Sequence, residues 1–415
     1  MIRASDAAWS DVLPVQPRRV VVVAWGLLAL VNLSAGFVIA SWPERQSDLE
    51  MMRGWVQQWL IDGTNLYAAP GTLTDYPPHA IVALTPLAVM PEEWIVPVWA
   101  AFNLALAVMA PYLALRIARP DGPRRALLLP LLMFLCWGGS RTLLQFTLLA
   151  LVFSLLSVKL ADRRPGWSGI CLGLALMKPQ VAGPFLLWKI FTRRFQPIVV
   201  ALIVVVTGLT LFCVFAHTGP LAVIRGYLKI LGGLYLLDED TRMVGLAQLR
   251  PLVLLAVPDI DLASAVALAL AIGLLVFVFI AGVRERNRPG ALWISAPPLA
   301  AVWSLLTFYH LTYGYLLLLP VATLLIFMND DATRPLRHAT FWIMQAALMF
   351  DIPGMWSRIS GLIFPGRPTP FAAFAGHVDR ILMASLFVCL MVIARKAGRF
   401  DEAPGLKTRP TSVHT

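Results

Sequence analysis

The sequence predicts an all-α integral membrane protein, and three observations carry that reading. Hydrophobic residues make up 59% of the 415, charged residues only 14%, and the mean hydropathy is +0.74, a composition that soluble domains do not show. Apolar stretches close to the roughly 20 residues needed to cross a bilayer recur from one end of the chain to the other. The short segments between them carry clustered arginine and lysine.

The net charge of +11 would suit a nucleic-acid partner, but its distribution argues against one. Basic residues gather between the apolar stretches, at Arg116, Arg119, Arg124 and Arg125, at Lys159, Arg163 and Arg164, at Arg193 and Arg194, and at Arg284, Arg286 and Arg288. Further groups are Arg18 and Arg19, Arg334 and Arg337, and Arg395, Lys396 and Arg399. The excess of positive charge in loops on the cytoplasmic side assigns all of these to the cytoplasm. The segment 42–93 has the opposite balance, with seven acids against Arg45 and Arg53, and is expected outside.

The spans then fall at about 20–41, 93–116, 125–139, 142–160, 197–216, 260–283, 291–308, 311–328, 339–352 and 379–395. That makes about ten transmembrane helices, in a multi-pass protein of the cytoplasmic membrane. Residues 166–192 have basic clusters at both ends and are too short for two crossings. They are expected to form a re-entrant pair of short helices with its turn at Lys178-Pro179. The first span is expected to be retained, since no small-residue cleavage site is placed to release it. Residues 1–19 form a cytoplasmic segment, 20–396 the transmembrane domain and 397–415 a disordered cytoplasmic tail.

Within the first external loop, 42–92, the spacing Ser47-x-x-Glu50 reads as a capping box, predicting a helix from Asp48 to about Ile61. Leu49, Met52, Trp55, Val56 and Trp59 share one face of it, and Glu50, Arg53, Gln57 and Gln58 take the other. Asp48 falls inside the apolar arc, beside Met52, Trp55 and Trp59. Two readings of it stand: a first-turn acid that complements the helix dipole, or a carboxylate directed into an apolar surface for use. After Tyr76-Pro77-Pro78, residues 79–90 form an apolar piece too short to span, expected to lie in the outer leaflet. The four cysteines, Cys136, Cys171, Cys213 and Cys389, lie in apolar segments without metal spacing and are expected to be ordinary core residues. No phosphate-binding glycine loop and no zinc motif is present.

Several short motifs fall in an order that resembles a known family. They are Asp48 after the first span, Gly63 to Tyr67, Tyr76-Pro77-Pro78, Pro86-Leu87-Ala88, Gln145 at the start of a helix, Gly173 to Pro179, and Tyr309-His310. The pattern resembles the polyprenol-phosphate-mannose-dependent mannosyltransferases of glycosyltransferase family 87, which have the GT-C fold, and it covers roughly residues 20–330. The chain departs from the pattern where Leu144-Gln145-Phe146-Thr147 replaces Gly-Gln-x-Asn. The resemblance implies inverting transfer of a sugar, mannose above all, from a polyprenyl phosphate to the hydroxyl of a glycolipid or glycan on the outer face.

Such a reaction needs one base, because the lipid phosphate is already a good leaving group. Asp48 is the candidate, and Glu50, on the polar face, is the second choice of base and a candidate substrate contact. Cations must meet the phosphate. Arg141 and His310 stand at outer turns, and Lys178 is an intramembrane lysine of the kind that marks function. Their bland alternatives are snorkelling or satisfied interface residues, and for Lys178 a structural ion pair or lipid-headgroup contact. Tyr76 and Gln145 are candidates for the sugar site, although Tyr-Pro-Pro is equally a rigid turn. No metal and no cofactor are expected, membrane lipids are the partners, and a monomer is expected. The rival function class is a transporter or flippase of lipid-linked sugars, which predicts an inverted repeat and charges along a full crossing path.

Overall fold

The computed structural model describes residues 48–69, 74–118, 145–236, 249–254, 256–286, 296–308, 312–327, 333–349 and 381–393, with isolated positions between 23 and 34 and at 131. Among the described residues there is no strand. Three helices, Glu92–Ala118, Phe195–Phe215 and Ile260–Arg284, are long and apolar enough to cross a membrane. Shorter apolar helices lie at Thr147–Leu160, Pro297–Thr307, Gly314–Thr323 and Ile381–Ile393. The expected span 125–139, almost all of 20–41, the external stretch 353–378, and the segments 1–19 and 397–415 lie outside the described residues.

The first described helix, α1 (Asp48–Leu60), has the bounds that its capping spacing and its apolar face predict. Leu49, Met52, Val56 and Trp59 are buried. The expected apolar piece after Tyr-Pro-Pro is two short helices, α2 (Pro78–Ala83) and α3 (Thr85–Val89), which meet at Leu84. Pro86 has no amide hydrogen to continue the α2 ladder, so it starts a new helix instead. Then come α4 (Glu92–Ala118), α5 (Thr147–Leu160), α6 (Pro165–Ala175), α7 (Pro179–Phe191) and α8 (Phe195–Phe215). After α8 follow α9 (Pro220–Leu236), α10 (Leu249–Leu254), α11 (Ile260–Arg286), α12 (Ala296–Thr307), a 3₁₀ segment Thr312–Leu317, α13 (Leu318–Phe327) and α14 (Arg334–Met349).

Helix α8 is the post on which the site is assembled. Val200, Val204, Gly208 and Phe212 follow at intervals of four, so they form one row along its length. Each meets a different segment. Gly169 and Gly173 of α6 lie against Val200 and Val204: a Cβ added at either would stand 2.5 or 2.6 Å from the valine Cβ. This small-xxx-small spacing lets two backbones approach as membrane helices commonly do. One turn on, Gly208 leaves room for His79 of α2. Another turn on, Phe212 stacks on Trp59 of α1 with centroids 5.5 Å apart, and its carbonyl accepts from Trp59 Nε1 at 3.0 Å. The glycines therefore set how α6 and α2 sit, one above the other, along a single flank.

The other flank of α8 exposes Val199, Leu202, Ile203, Val206 and Val214. In α11, Ala263, Ala267, Ala271 and Ala281 are buried while Leu268, Ile272, Val276 and Phe277 are exposed. Small residues inside and large apolar ones outside are the pattern of a helix surrounded by lipid. Helix α14 differs from the expected span at 339–352. It starts at Arg334, with Arg337 and His338 in its first turns, and is not among the long or apolar helices. Arg337 is buried and donates from Nη1 to the Leu325 carbonyl at 2.9 Å, so it serves the C-terminal end of α13.

Candidate active site

The expected turn at Lys178-Pro179 is present, between α6 and α7. Pro179 occupies the first position of α7, where a missing amide hydrogen costs nothing. The Lys178 carbonyl accepts from the amides of Val181 and Ala182 at 2.9 and 3.1 Å. The lysine backbone is thus fixed as the cap of α7. Its side chain is only 3% exposed, and Nζ donates to Thr147 Oγ1 at 2.9 Å and to the Tyr76 hydroxyl at 3.4 Å.

Three distant stretches meet at this ammonium: the Tyr-Pro-Pro turn, the first residue of α5 and the tip of the α6–α7 hairpin. A helix of eleven residues such as α6 rises about 16 Å, roughly half the hydrocarbon thickness. The hairpin tip meets the loop that holds Tyr76, 102 residues away in the chain.

Aromatic rings surround the cluster. Trp55 lies 6.4 Å from Tyr76, Tyr76 is 5.8 Å from Phe146 edge-on, and Phe146 is 4.7 Å from Trp99. The Tyr76 backbone is held from below: the Tyr67 hydroxyl donates to its carbonyl at 2.7 Å. Burial raises the Tyr67 phenol well above its usual range, and Tyr227 and Asp75 add to the effect. Burial likewise raises Tyr227, reinforced by Asp75. Tyr67 therefore keeps its proton and its donor role at any physiological pH.

Polar atoms without partners concentrate on the same segments. Thr74 Oγ1, both ring nitrogens of His79, Trp99 Nε1 and Asn103 Oδ1 are buried and make no hydrogen bond. Buried polar groups are ordinarily satisfied, so a group of them calls for a ligand or water. Burial pushes His79 down to about 4, an effect only partly offset by the Gly173 backbone, which is near the ring without meeting hydrogen-bond geometry.

The predicted residues divide as follows. Lys178 and Tyr76 come together, and Gln145 is buried immediately before Phe146 and Thr147. Asp48 is the first residue of α1, seven positions before the site aromatic Trp55, and its side chain lies outside what the structure describes. Glu50 is exposed on the other side of the helix. Arg141 and His310 lie outside the described residues. Sequence reasoning passed over Thr147, Trp55, Phe146, Trp99 and His79. For Thr147 a signal existed, because it stands where the resembled pattern has asparagine.

Residues 74–308, more than half of the chain, match glycosyltransferase family 87. The chain belongs to that family. The matched range holds Tyr76, Gln145, Thr147 and Lys178, whereas α1 with Asp48 precedes it and Tyr309-His310 follows it. No curated protein and no solved structure gives a match.

Proposed function

We propose that this family 87 glycosyltransferase moves a sugar, mannose first among the candidates, from a polyprenyl phosphate to an acceptor hydroxyl at the outer face of the cytoplasmic membrane. The acceptor oxygen attacks the anomeric carbon, the bond from that carbon to the phosphate oxygen breaks, and configuration inverts. Asp48 takes the acceptor's proton, and polyprenyl phosphate leaves as an anion. One base suffices. Lys178 binds the donor phosphate, where an ammonium in a dry, aromatic-walled setting stabilises developing charge far better than it would in water. Arg141 and His310 complete the cation set, and Tyr76 and Gln145 line the sugar.

The observation that carries this reading is the buried Lys178–Tyr76–Thr147 cluster, with unpartnered polar atoms on the adjoining segments. It fits a ligand that is anionic at one end and rich in hydroxyls beside it. The acceptor is a glycolipid or glycan, no metal takes part, and the chain works as a monomer.

The test is transfer by the purified full-length protein in liposomes, given radiolabelled polyprenyl-phosphate sugars and extracted membrane lipids. Activity with a polyprenyl-phosphate donor is the expected result. Asp48→Asn should lower it by about 10²–10⁴-fold, the usual worth of a general base, and leave donor binding intact. Transfer at the parent rate by Asp48→Asn would remove Asp48 from the role. Activity with nucleotide sugars alone would overturn the donor class.

A further inference from the structure

Helix α9 has two sides with separate tasks. Its inner side, Val223, Gly226, Tyr227 and Ile230, is buried or half-buried, and Gly226 and Tyr227 meet the loop that holds the site. Gly226 sits so close to Tyr67 that an added Cβ would stand 2.5 Å from the Tyr67 carbonyl oxygen, and the Tyr67 and Tyr227 rings meet edge to face at 5.7 Å. The outer side remains. Taking Leu221 as origin and turning roughly 100° per residue, Ile224 and Leu228 fall within about 60° on one side. Arg225 and Lys229 fall within about 80° on the other. Leu221, Ile224 and Leu228 are 58, 41 and 59% exposed, and Arg225 and Lys229 are exposed as well.

An outer arc divided lengthwise into an apolar and a basic half has one natural environment. A spanning helix would not carry two adjacent cations at mid-length. A helix in water would gain nothing from three exposed large apolar side chains. At a membrane surface both halves are matched, apolar residues to acyl chains and cations to headgroup phosphates. The neighbouring end of α8 exposes Val214 and Phe215, so the apolar edge of α9 continues a surface that already faces lipid.

We infer that α9 lies flat in the membrane surface at the C-terminal end of α8, with Leu221, Ile224 and Leu228 in hydrocarbon and Arg225 and Lys229 on anionic phospholipid headgroups. The helix thereby anchors the Tyr67–Tyr76 side of the site at a fixed depth. The inference rests on the membrane reading of α8 and not on the transfer reaction, so an inactive protein would still show it.

Two measurements on the full-length protein in vesicles test it. Nitroxide labels on cysteines placed at Leu228 and at Ala222, with the parent protein labelled in parallel as background, report depth. Position 228 should be more accessible to oxygen than to a water-soluble nickel chelate, and position 222 the reverse. Chelate access at both, or closure of position 228 to both reagents as under a protein partner or second copy, overturns the proposal. In the second measurement, the preference for spin-labelled phosphatidylglycerol over spin-labelled phosphatidylcholine should fall in R225Q/K229Q by about fivefold per charge at low salt. An unchanged preference refutes the headgroup contact, whatever the labels show.

Discussion

Lys178 and Lys189 stand at opposite ends of α7, both buried, and they are buried in different ways. Lys189 is 0% exposed, and its Nζ donates to the Ser157 carbonyl and to Ser168 Oγ, each at 3.0 Å. Those serines also bond each other: Ser157 Oγ donates to the Ser168 carbonyl at 2.7 Å and Ser168 Oγ to the Ser157 carbonyl at 2.6 Å. Beyond them Arg194 lies over Trp188 and pairs with Asp162 through both carboxylate oxygens. That end is closed. At the other end Lys178 reaches two hydroxyls, while threonine, histidine, tryptophan and asparagine side chains on the adjoining segments keep unpartnered polar atoms. A buried lysine inside a membrane protein is therefore not by itself a sign of function. Whether the groups that accept from it have already found one another is the better guide.

The largest effect that sharpens this contrast is expected from Lys178→Met. It keeps much of the side-chain volume and removes the charge, so the hairpin should still form. If the ammonium binds the donor phosphate, transfer should fall about ten- to a hundredfold, the worth of one charge-assisted hydrogen bond, and further if the phosphate is desolvated. Transfer rates at limiting donor, compared at equal folded protein, decide it. A variant with the parent rate would make both ends of α7 merely structural.

A middle-sized effect concerns His79, whose unpartnered ring belongs to the open end. Its burial lowers the folded value to about 4 from the usual 6.5, so between those pH values the unfolded chain binds a proton that the folded chain does not. The stability from the neutral ring is full above about pH 6.5, declines as pH falls toward 4, and is level below that. The total is on the order of 3 kcal/mol. Thermal midpoints in detergent from pH 7.5 to 4 should show this slope, and His79→Gln should flatten it. An equal slope in both proteins would mean that His79 already has a partner in the folded state.

The contrast also shows what the sequence could and could not convey. Helices whose cause is local were legible: α1 from its cap spacing and apolar face, α4, α8 and α11 from their hydropathy, and the hairpin turn from Lys178-Pro179 between two basic clusters. Family membership was legible too, from the order of short motifs. The split of residues 79–90 at Leu84 was missed, although Pro86 was in plain view. The meeting of Lys178 with Tyr76 was not legible, because 102 residues separate them and no periodicity links a hairpin tip to a loop on another segment. That contact depends on how high the hairpin rises along α8, which is set by Gly169, Gly173 and Gly208 meeting particular neighbours. Single-sequence patterns report which residues are small, and not what they lie against.

The smallest effect is the one the closed end should give. Lys189→Met removes an ammonium that two serines serve, but it orphans little, because each serine hydroxyl still donates to the other's carbonyl. The desolvation cost of a buried charge disappears with the charge, and the methionine chain fills most of the vacated space. These terms oppose one another, so the change in stability should stay within about 1 kcal/mol in either direction. Transfer per folded molecule should change by no more than about twofold, the margin that distinguishes this end from Lys178. The pair of variants is informative because lysine and replacement are the same in both and only the surroundings differ. Should Lys189→Met lose tenfold in transfer while its thermal midpoint holds, the closed serine cluster would be part of the working site, and satisfaction of neighbouring polar atoms would fail as the criterion that separates the two ends.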